Sequence, residues 1–310
     1  TYTGKIEEFA SAQPFPLTDL LVNPKDGAMY VAVGGRKVQS GLYRITYEGK
    51  ESTATAKSDA GGEEARKRRQ ALESFVQREA KPANKKQLNK IWSSLAAQDR
   101  GIRHAARVAL EKQPVKNWKS RLASEKSPFI ASAAMIALAR ADAKSGATVL
   151  QKAMTYKYRD LQSRQQKLDL LRSITLALTR GGEPGKEQKQ KLIAWLDQIY
   201  PASTPEENRD LSALLQFLQA PSAARKGMAL LRGASGQEEQ IGYALNLRHL
   251  KTGWTSMLRE SYFKWFVRAG NFKGGARLSN YLNGIKKDAI ASIDERHMTL
   301  DLKKIIDTKP

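Results

Sequence analysis

The 310-residue chain contains no cysteine, and only 7% of its residues are aromatic. The lack of cysteine excludes a disulfide scaffold, a thiolate zinc site, an iron–sulfur cluster, a cysteine nucleophile and a CxxCH haem attachment. No run of about 18 apolar residues occurs, so the sequence predicts no membrane span. The hydrophobic share of 41% is still enough for one large or two medium domains.

Histidine is also scarce, with only His104, His249 and His297 in the whole chain. Neither His104 nor His249 has a second histidine or a carboxylate at metal-ligand spacing, so we interpret both as structural or surface residues. No HExxH, GxSxG, P-loop or GxGxxG motif is present. We therefore predict no catalytic, cofactor-binding or metal-binding residue, and the chain alone is not expected to be an enzyme.

Acidic residues are few: 31 Asp and Glu stand against 53 Lys and Arg, which gives a formal net charge of +22. The excess is concentrated, with 15 basic and 6 acidic residues in 61–120 and 9 basic residues against one acidic residue in 248–287. Such segments either bind a polyanion or remain a solvated face. The candidate anion-binding residues are Arg66, Lys67, Arg68, Arg69, Arg259, Lys264, Arg268, Lys273 and Arg277.

The second basic segment is also the richest in aromatic residues. Interleaved basic and aromatic side chains can bind single-stranded nucleic acid or glycans by stacking. The alternative, which we favour, is that the aromatic residues fill the core of the last helix pair. That core would contain Tyr262, Phe263, Trp265 and Phe266.

Residues 1–49 contain four strand-like runs separated by turn-forming residues: Gly4–Phe9, Thr18–Val22, Ala28–Val33 and Gly41–Tyr47. They predict a small four-stranded antiparallel segment of the size of one propeller blade. A lone blade needs a surface on which to stack, so the rest of a propeller would come from a longer polypeptide or from a partner chain. A small sheet packed on the helical domain is the alternative.

Residues 50–65 are polar and aperiodic and predict a linker, whereas residues 66–310 are helical in composition and period. The run Asp99–Leu110 has the shape of a HEAT-like second helix, and weaker echoes follow at roughly 30 to 40 residues. The sequence therefore predicts a mainly α protein, a HEAT-like helical-repeat superhelix preceded by the β segment. A generic helical bundle stays open as the alternative.

Several runs carry a resemblance to a known family. The run PFPLTDLLVNPKDGAMYVAVGGRKVQSGLYRITYEG (14–49) resembles the closing blade of a glucose/sorbosone-dehydrogenase-type propeller. The runs RHAARVALEKQPVKNW (103–118), QEEQIGYALNLRHLKTGWT (237–255) and YFKWF (262–266) are similar to a HEAT-like helical region. Exported proteins of planctomycetes and verrucomicrobia join these two parts to a c-type haem domain. The resemblance covers about residues 14 to 290.

The resemblance implies a periplasmic or cell-envelope location and a role beside redox chemistry on sugars or alcohols. Because the chain has no cysteine, the c-type haem is expected elsewhere in the parent protein. The expected partners are that haem domain and the remaining blades. Loop position makes Asp26, Gly34, Gly35 and Arg36 candidates for a propeller face.

The first residue is a threonine with no signal peptide before it, so we expect a mature or excised segment of a longer precursor. The function predicted from these observations is that of a non-catalytic helical scaffold in an exported, redox-associated protein. The alternative is a basic helical-repeat module that binds nucleic acid or another polyanion.

Overall fold

A computed structural model describes residues 6–13, 15–35, 38–52, 54, 61–77, 79 and 81–308 of the chain. The chain forms two compact units, Thr1–Gly61 and Gly62–Pro310. The first contains a small antiparallel sheet and the second is built from helices joined by short turns. The protein is therefore mainly helical, as predicted from composition and period.

The sheet of the first unit has the strand order β1-β2-β3. Its strands are β1 (Leu17–Val22), β2 (Met29–Gly35) and β3 (Val38–Ile45). The β1–β2 turn contains Gly27, whose φ of +67° is the left-handed conformation that glycine adopts without strain. Its N–H donates a hydrogen bond to the carbonyl oxygen of Asn23 at 2.8 Å. Three of the four predicted strand runs therefore overlap strands.

The fourth predicted strand, in the run Gly4–Phe9, is not confirmed. Its described part, residues 6–9, lies in no strand, and the side chains of Ile6 and Phe9 are exposed. Two apolar residues separated by two glutamates do not alternate with period two, so the run lacks the half-buried face that a paired strand needs. The described residues of this unit therefore show a three-stranded sheet in place of the four-stranded blade.

Among the described residues of the second unit, fourteen α-helices follow one another. They are α1 (Glu63–Glu73), α2 (Lys85–Ser94), α3 (Arg100–Glu111), α4 (Lys119–Ser124), α5 (Pro128–Ala141), α6 (Gly146–Ala153), α7 (Arg164–Gly181), α8 (Lys186–Ile199), α9 (Pro205–Phe217), α10 (Ser222–Gly233), α11 (Gln237–Leu247), α12 (Ser256–Ala269), α13 (Leu278–Ala291) and α14 (Leu300–Asp307). Helix α1 begins three residues before the predicted start of the helical region. None of the described helices has the length and apolarity needed to cross a membrane.

The helices pack in two alternating layers. In one layer α1, α3, α5, α7, α9, α11 and α13 each contact the next odd-numbered helix. In the other layer α6 contacts α8, α10 contacts α12, and α12 contacts α14. Most even-numbered helices also contact the odd-numbered helix that follows them in the chain. Short connections between consecutive helices account for this alternation, because they favour antiparallel neighbours.

One hydrophobic core runs through both layers, from Leu72 in α1 to Leu302 in α14. Small residues set the closest helix contacts. A Cβ added to Gly146 of α6 would lie 3.2 Å from the carbonyl oxygen of Ala177 in α7, so these two backbones almost touch. The predicted aromatic core of the last helices is confirmed, since Tyr262, Phe263, Trp265 and Phe266 are all buried.

The HEAT-like assignment of the run Asp99–Leu110 is not confirmed. It predicts that Asp99 and Arg103 pair along the stack, but both side chains bond to nearby backbone. Asp99 is the N-cap of α3, where its Oδ1 accepts a hydrogen bond from the N–H of Ile102 at 2.8 Å. The Arg103 guanidinium donates to the carbonyl oxygens of Ala97 and Gln98, at 2.7 and 2.8 Å. These hydrogen bonds fix the start of α3, and none of them extends to a neighbouring helix pair.

Candidate functional site

A basic groove crosses three odd-numbered helices. Helix α3 contributes a row of cationic or polar side chains, α5 contributes an apolar floor, and α7 contributes polar residues on the far side. The groove encloses a cavity of about 230 Å³. We call it the α3–α7 groove, and its main lining residues are Arg100, Arg103, His104, Arg107, Phe129, Ile136, Gln165 and Asp169.

The α3 row follows helical periodicity. Positions 100, 103, 104 and 107 are spaced i, i+3, i+4 and i+7, so the four side chains lie on one face. The Arg103 guanidinium lies 5.4 Å from the ring centroid of Phe129, which is a cation–π contact across to α5. Arg107 lies 3.2 Å from His104 Nδ1. These four positions lie within the run Asp99–Leu110 that the sequence predicts as a HEAT-like second helix, and that prediction did not single them out as one face.

Carboxylates offset part of the charge in the groove. Glu111 joins the helices, because its carboxylate bonds to Arg107 of α3 and accepts a 2.9 Å hydrogen bond from Arg140 of α5. Across the groove, burial raises the pKa of the Asp169 carboxyl above its ordinary value. The hydrogen bond from Gln165 and the charges of the arginines on α3 oppose that rise. Among the described residues, Arg100 is the groove arginine with no hydrogen bond or ion pair from its side chain.

The predicted anion-binding run 66–69 lies on α1 and is not gathered on one face. Consecutive helical residues are rotated by about 100°, so four of them point around most of the helix. Lys67 pairs with Glu63 at 2.8 Å, and Arg69 pairs with Glu73 at 3.2 Å. Arg68 donates to Ser94 Oγ at 3.0 Å. Three of the four cations are thus engaged within the unit, and Arg66 is half-buried.

The second predicted set is also divided by the fold. Arg259 is buried on the inner side of α12, whereas Lys264 and Arg268 are exposed on another face of the same helix. Lys264 lies 3.9 Å from Glu260. Both Lys273 and Arg277 are exposed in the connection between α12 and α13. Arg259 therefore stands apart from the others in its surroundings.

The predicted propeller-face loops lie at opposite ends of the sheet. Asp26 precedes β2, whereas Gly34 and Gly35 end it, and six residues of strand separate them by about 20 Å. Arg36, the fourth candidate, lies outside the described residues. The length of β2 thus places the described candidates in two separate loops of the sheet, and their contact with a propeller face stays a prediction.

Asp26 has a local structural role. Its Oδ1 accepts a hydrogen bond from the N–H of Ala28 at 3.1 Å, and its Oδ2 accepts hydrogen bonds from Tyr30 and Arg44 at 3.1 and 3.3 Å. These contacts, with the backbone bond of Ala28 the largest, lower the pKa of the Asp26 carboxyl. They hold the β1–β2 turn against the far end of β3.

The sheet itself exposes apolar side chains. The exposed fractions of Leu20, Leu21 and Leu42 are 53%, 65% and 72%, and every residue of β1 is exposed. Isolated exposed leucines are ordinary. Leu21 of β1 and Leu42 of β3 lie on the same face of the sheet, because their partners Tyr30 and Ala32 are two residues apart on β2, whereas Leu20 lies on the other face. Apolar residues exposed together on one face mark a surface suited to contact with another protein.

The described residues contain no group of three or more histidine, aspartate or glutamate side chains arranged to hold a metal ion. His249 lies 3.8 Å from Asp288 and is half-exposed. His104 and His297 are exposed as well. Comparison of the chain with models of known protein families, with curated proteins and with solved structures found no match to any of them.

Proposed function

We propose that this chain is a non-catalytic helical scaffold of an exported, redox-associated protein. In this proposal its β unit joins further strands of a β-propeller, which the rest of the parent chain or a partner supplies. The helical unit is a HEAT-like repeat stack, and the sugar- or alcohol-oxidising site and a c-type haem lie elsewhere in the assembly. The observation that carries the proposal is the apolar surface that the sheet leaves exposed.

The position of that surface, together with the unpaired strand edges, favours other propeller strands as its occupant. Leu21 of β1 and Leu42 of β3 are exposed on one face, so the apolar surface extends across the sheet from one outer strand to the other. Each outer strand also has one edge that pairs with no other described strand. Such edges and faces are covered in stable sheet proteins. The run 14–49, which resembles a closing propeller blade, is the same run that forms this sheet.

Limited proteolysis of the purified chain, with light scattering for its mass, tests the docking step. We expect early cleavage within residues 15–47, protection of 62–308, and binding of an apolar dye to the β unit. The paired substitutions Leu21→Lys and Leu42→Lys should abolish most of the dye signal. Leu300→Lys, at an exposed leucine of the helical unit, is the matched control and should leave it unchanged. A monomer whose β unit resists protease and binds no dye would refute the proposal.

A second candidate function is binding of a polyanion by the helical unit, and the α3–α7 groove favours it. Three arginines line that groove, and the side chain of Arg100 is exposed. Binding of a labelled single-stranded DNA should then fall steeply with salt, and Arg100→Gln should reduce the salt slope by about 1. Lys67→Gln, which removes a cation paired on α1, is the control. Absence of binding at low salt would exclude this function.

A further inference from the structure

A second cavity, of about 300 Å³, lies where α12 and α14 begin, and we call it the Arg259 cavity. Helix α12 starts after its N-cap Thr255, and α14 starts after its N-cap Thr299. Both threonines line the cavity, as do Ser256 and Trp254. The first N–H groups of a helix have no acceptor within the helix and carry partial positive charge. Two helix N-termini therefore border one space, although the Thr255 and Thr299 hydroxyls already accept from the N–H groups of Leu258 and Leu302.

Arg259 is the group that points to a ligand. The residue is only 6% exposed, and its side chain lines the cavity. Among the described residues, none forms a hydrogen bond or ion pair with its guanidinium. Its guanidinium carbon lies 5.4 Å from the centroid of the Trp254 ring. The guanidinium nitrogens are not sealed from solvent, because Tyr200 Oη is the one fully buried side-chain polar atom without a partner among the described residues, so the Arg259 donors open into the cavity.

Asp294, whose negative charge acts on Arg259, does not accept a hydrogen bond from its guanidinium. Burial lowers the pKa of Arg259, and the charge of Asp294 partly opposes the effect. The Asp294 carboxylate is itself exposed and bonded to Arg296, at 3.0 Å from Nε and 2.8 Å from Nη2. An arginine remains charged even when its pKa falls, because its ordinary value lies so far above neutrality. The cavity therefore holds a permanent cation whose donors have no acceptor among the described groups.

The charge around the cavity selects the class of anion. Glu260 also lines it, half-exposed, and its partner Lys264 is 3.9 Å away. This carboxylate disfavours a dianion such as phosphate but tolerates a single negative charge near Arg259. The planar guanidinium matches a carboxylate with two parallel hydrogen bonds. Trp254 and Leu302 supply an apolar wall for the rest of an organic molecule.

We propose that the Arg259 cavity binds the carboxylate group of a small organic acid. Arg259 supplies the charged donors, and the hydroxyl of Ser256 and the helix N-termini supply neutral ones. This site does not depend on the docking of the β unit, since it lies wholly within the helical unit. The two proposals can therefore fail separately.

Ligand-observed fluorine NMR of the full chain with 4-fluorobenzoate tests the proposal, and the uncharged 4-fluorobenzamide is the matched probe. We expect broadening of the benzoate signal and none of the benzamide signal. Arg259→Met should weaken benzoate binding at least about tenfold, because charge-assisted hydrogen bonds are lost. Arg268→Met, which removes the same charge from an exposed position on α12 that pairs with no described residue of the cavity, is the control and should retain binding within about twofold.

Arg259→Met is expected to fold, since an apolar side chain of similar length replaces an unpaired buried charge. Circular dichroism checks this. Should the variant not fold, Glu260→Gln provides the test: removing the carboxylate should tighten benzoate binding about two- to fivefold. No benzoate binding by the wild type, equal losses in Arg259→Met and Arg268→Met, or weaker binding in Glu260→Gln would each overturn the proposal. Displacement of benzoate by lower concentrations of inorganic phosphate would overturn the choice of carboxylate.

Discussion

Gly253, just before α12, is the position where the structure predicts the largest effect from one added methyl group. Its φ is +73°, and a Cβ there would lie 1.8 Å from the carbonyl oxygen of Pro221. Contacts shorter than 3.0 Å are essentially never seen, so the backbones would have to separate by at least 1.2 Å. Two hydrogen bonds resist that movement. Thr252 Oγ1 donates to the carbonyl oxygen of Gln219, and the N–H of Lys251 donates to Gln219 Oε1, both at 2.8 Å.

The magnitude follows from three contributions. The left-handed backbone costs a non-glycine residue about 1–2 kcal/mol, and overpacking against backbone costs about 1–3 kcal/mol. Reduced freedom of the unfolded chain returns about 0.4–1 kcal/mol. Gly253→Ala is therefore expected to lower the free energy of unfolding of the helical unit by about 1–5 kcal/mol. For a unit of this size that corresponds to a fall in Tm of roughly 2–20 °C.

Urea unfolding followed by circular dichroism at 222 nm measures the effect, and Gly284→Ala is the matched control. Gly284 lies within α13 and has nothing within 4 Å of an added Cβ. The same chemical change there should raise stability by about 0.5–1 kcal/mol, because alanine is the better helix former. Opposite signs at the two sites are the expected result. A Gly253→Ala variant within about 0.5 kcal/mol of wild type would show that the 251–253 segment is not held against Pro221, and the reasoning would fail.

Three further variants test contacts between helices. Asp197 of α8 accepts a 2.6 Å hydrogen bond from Lys226 of α10, and although burial opposes it, this bond helps to lower the Asp197 pKa. The stabilisation is then present above the unfolded pKa of about 3.9 and is lost as pH falls through the lower folded value. Asp197→Asn should lower the free energy of unfolding by about 1–3 kcal/mol at pH 7. The difference from wild type, measured by urea unfolding, should shrink below about pH 4; a difference that stays constant down to about pH 2 would contradict this. Gly146→Ala should destabilise by about 1–2 kcal/mol, since the new Cβ meets the carbonyl oxygen of Ala177; a higher Tm would be the wrong outcome. Glu111→Gln should lower the free energy of unfolding by about 1 kcal/mol, because Arg107 and Arg140 lose the carboxylate that bridges them. Added salt should reduce that loss; a variant as stable as wild type would argue against the bridge.

The sequence predicts the helical unit well because its signals are local. Apolar residues at three- and four-residue spacing mark the buried faces, and proline and glycine mark most of the breaks. The same local rule places Tyr262, Phe263 and Trp265 in a core, and all three are buried. The run Gly4–Phe9 fails for the corresponding reason. It has apolar residues but no period-two alternation, and strand formation also needs a partner edge that sequence alone does not provide.

The binding sites are harder to predict than the helices, because a site depends on which way each side chain points and not only on its place in the chain. Asp26 and Gly34 are eight residues apart in the chain, yet one strand places them at opposite ends of the sheet. The basic run 66–69 is continuous in sequence, yet a helix points its members in different directions. Clustering of charge along the chain indicated the segment 61–120, which contains the arginines of the α3–α7 groove, but not which of its cations share a face.

Arg259 shows which sequence signal would have separated it from its basic neighbours. Tyr262, Phe263 and Phe266 follow it at i+3, i+4 and i+7, so Arg259 occupies the first position of the buried stripe of α12. Lys264 and Arg268 are four residues apart on a different face. A cation within an apolar stripe is carried into the interior together with that stripe. Helical phase, rather than the local excess of positive charge, therefore distinguishes the buried Arg259 from the exposed Lys264 and Arg268.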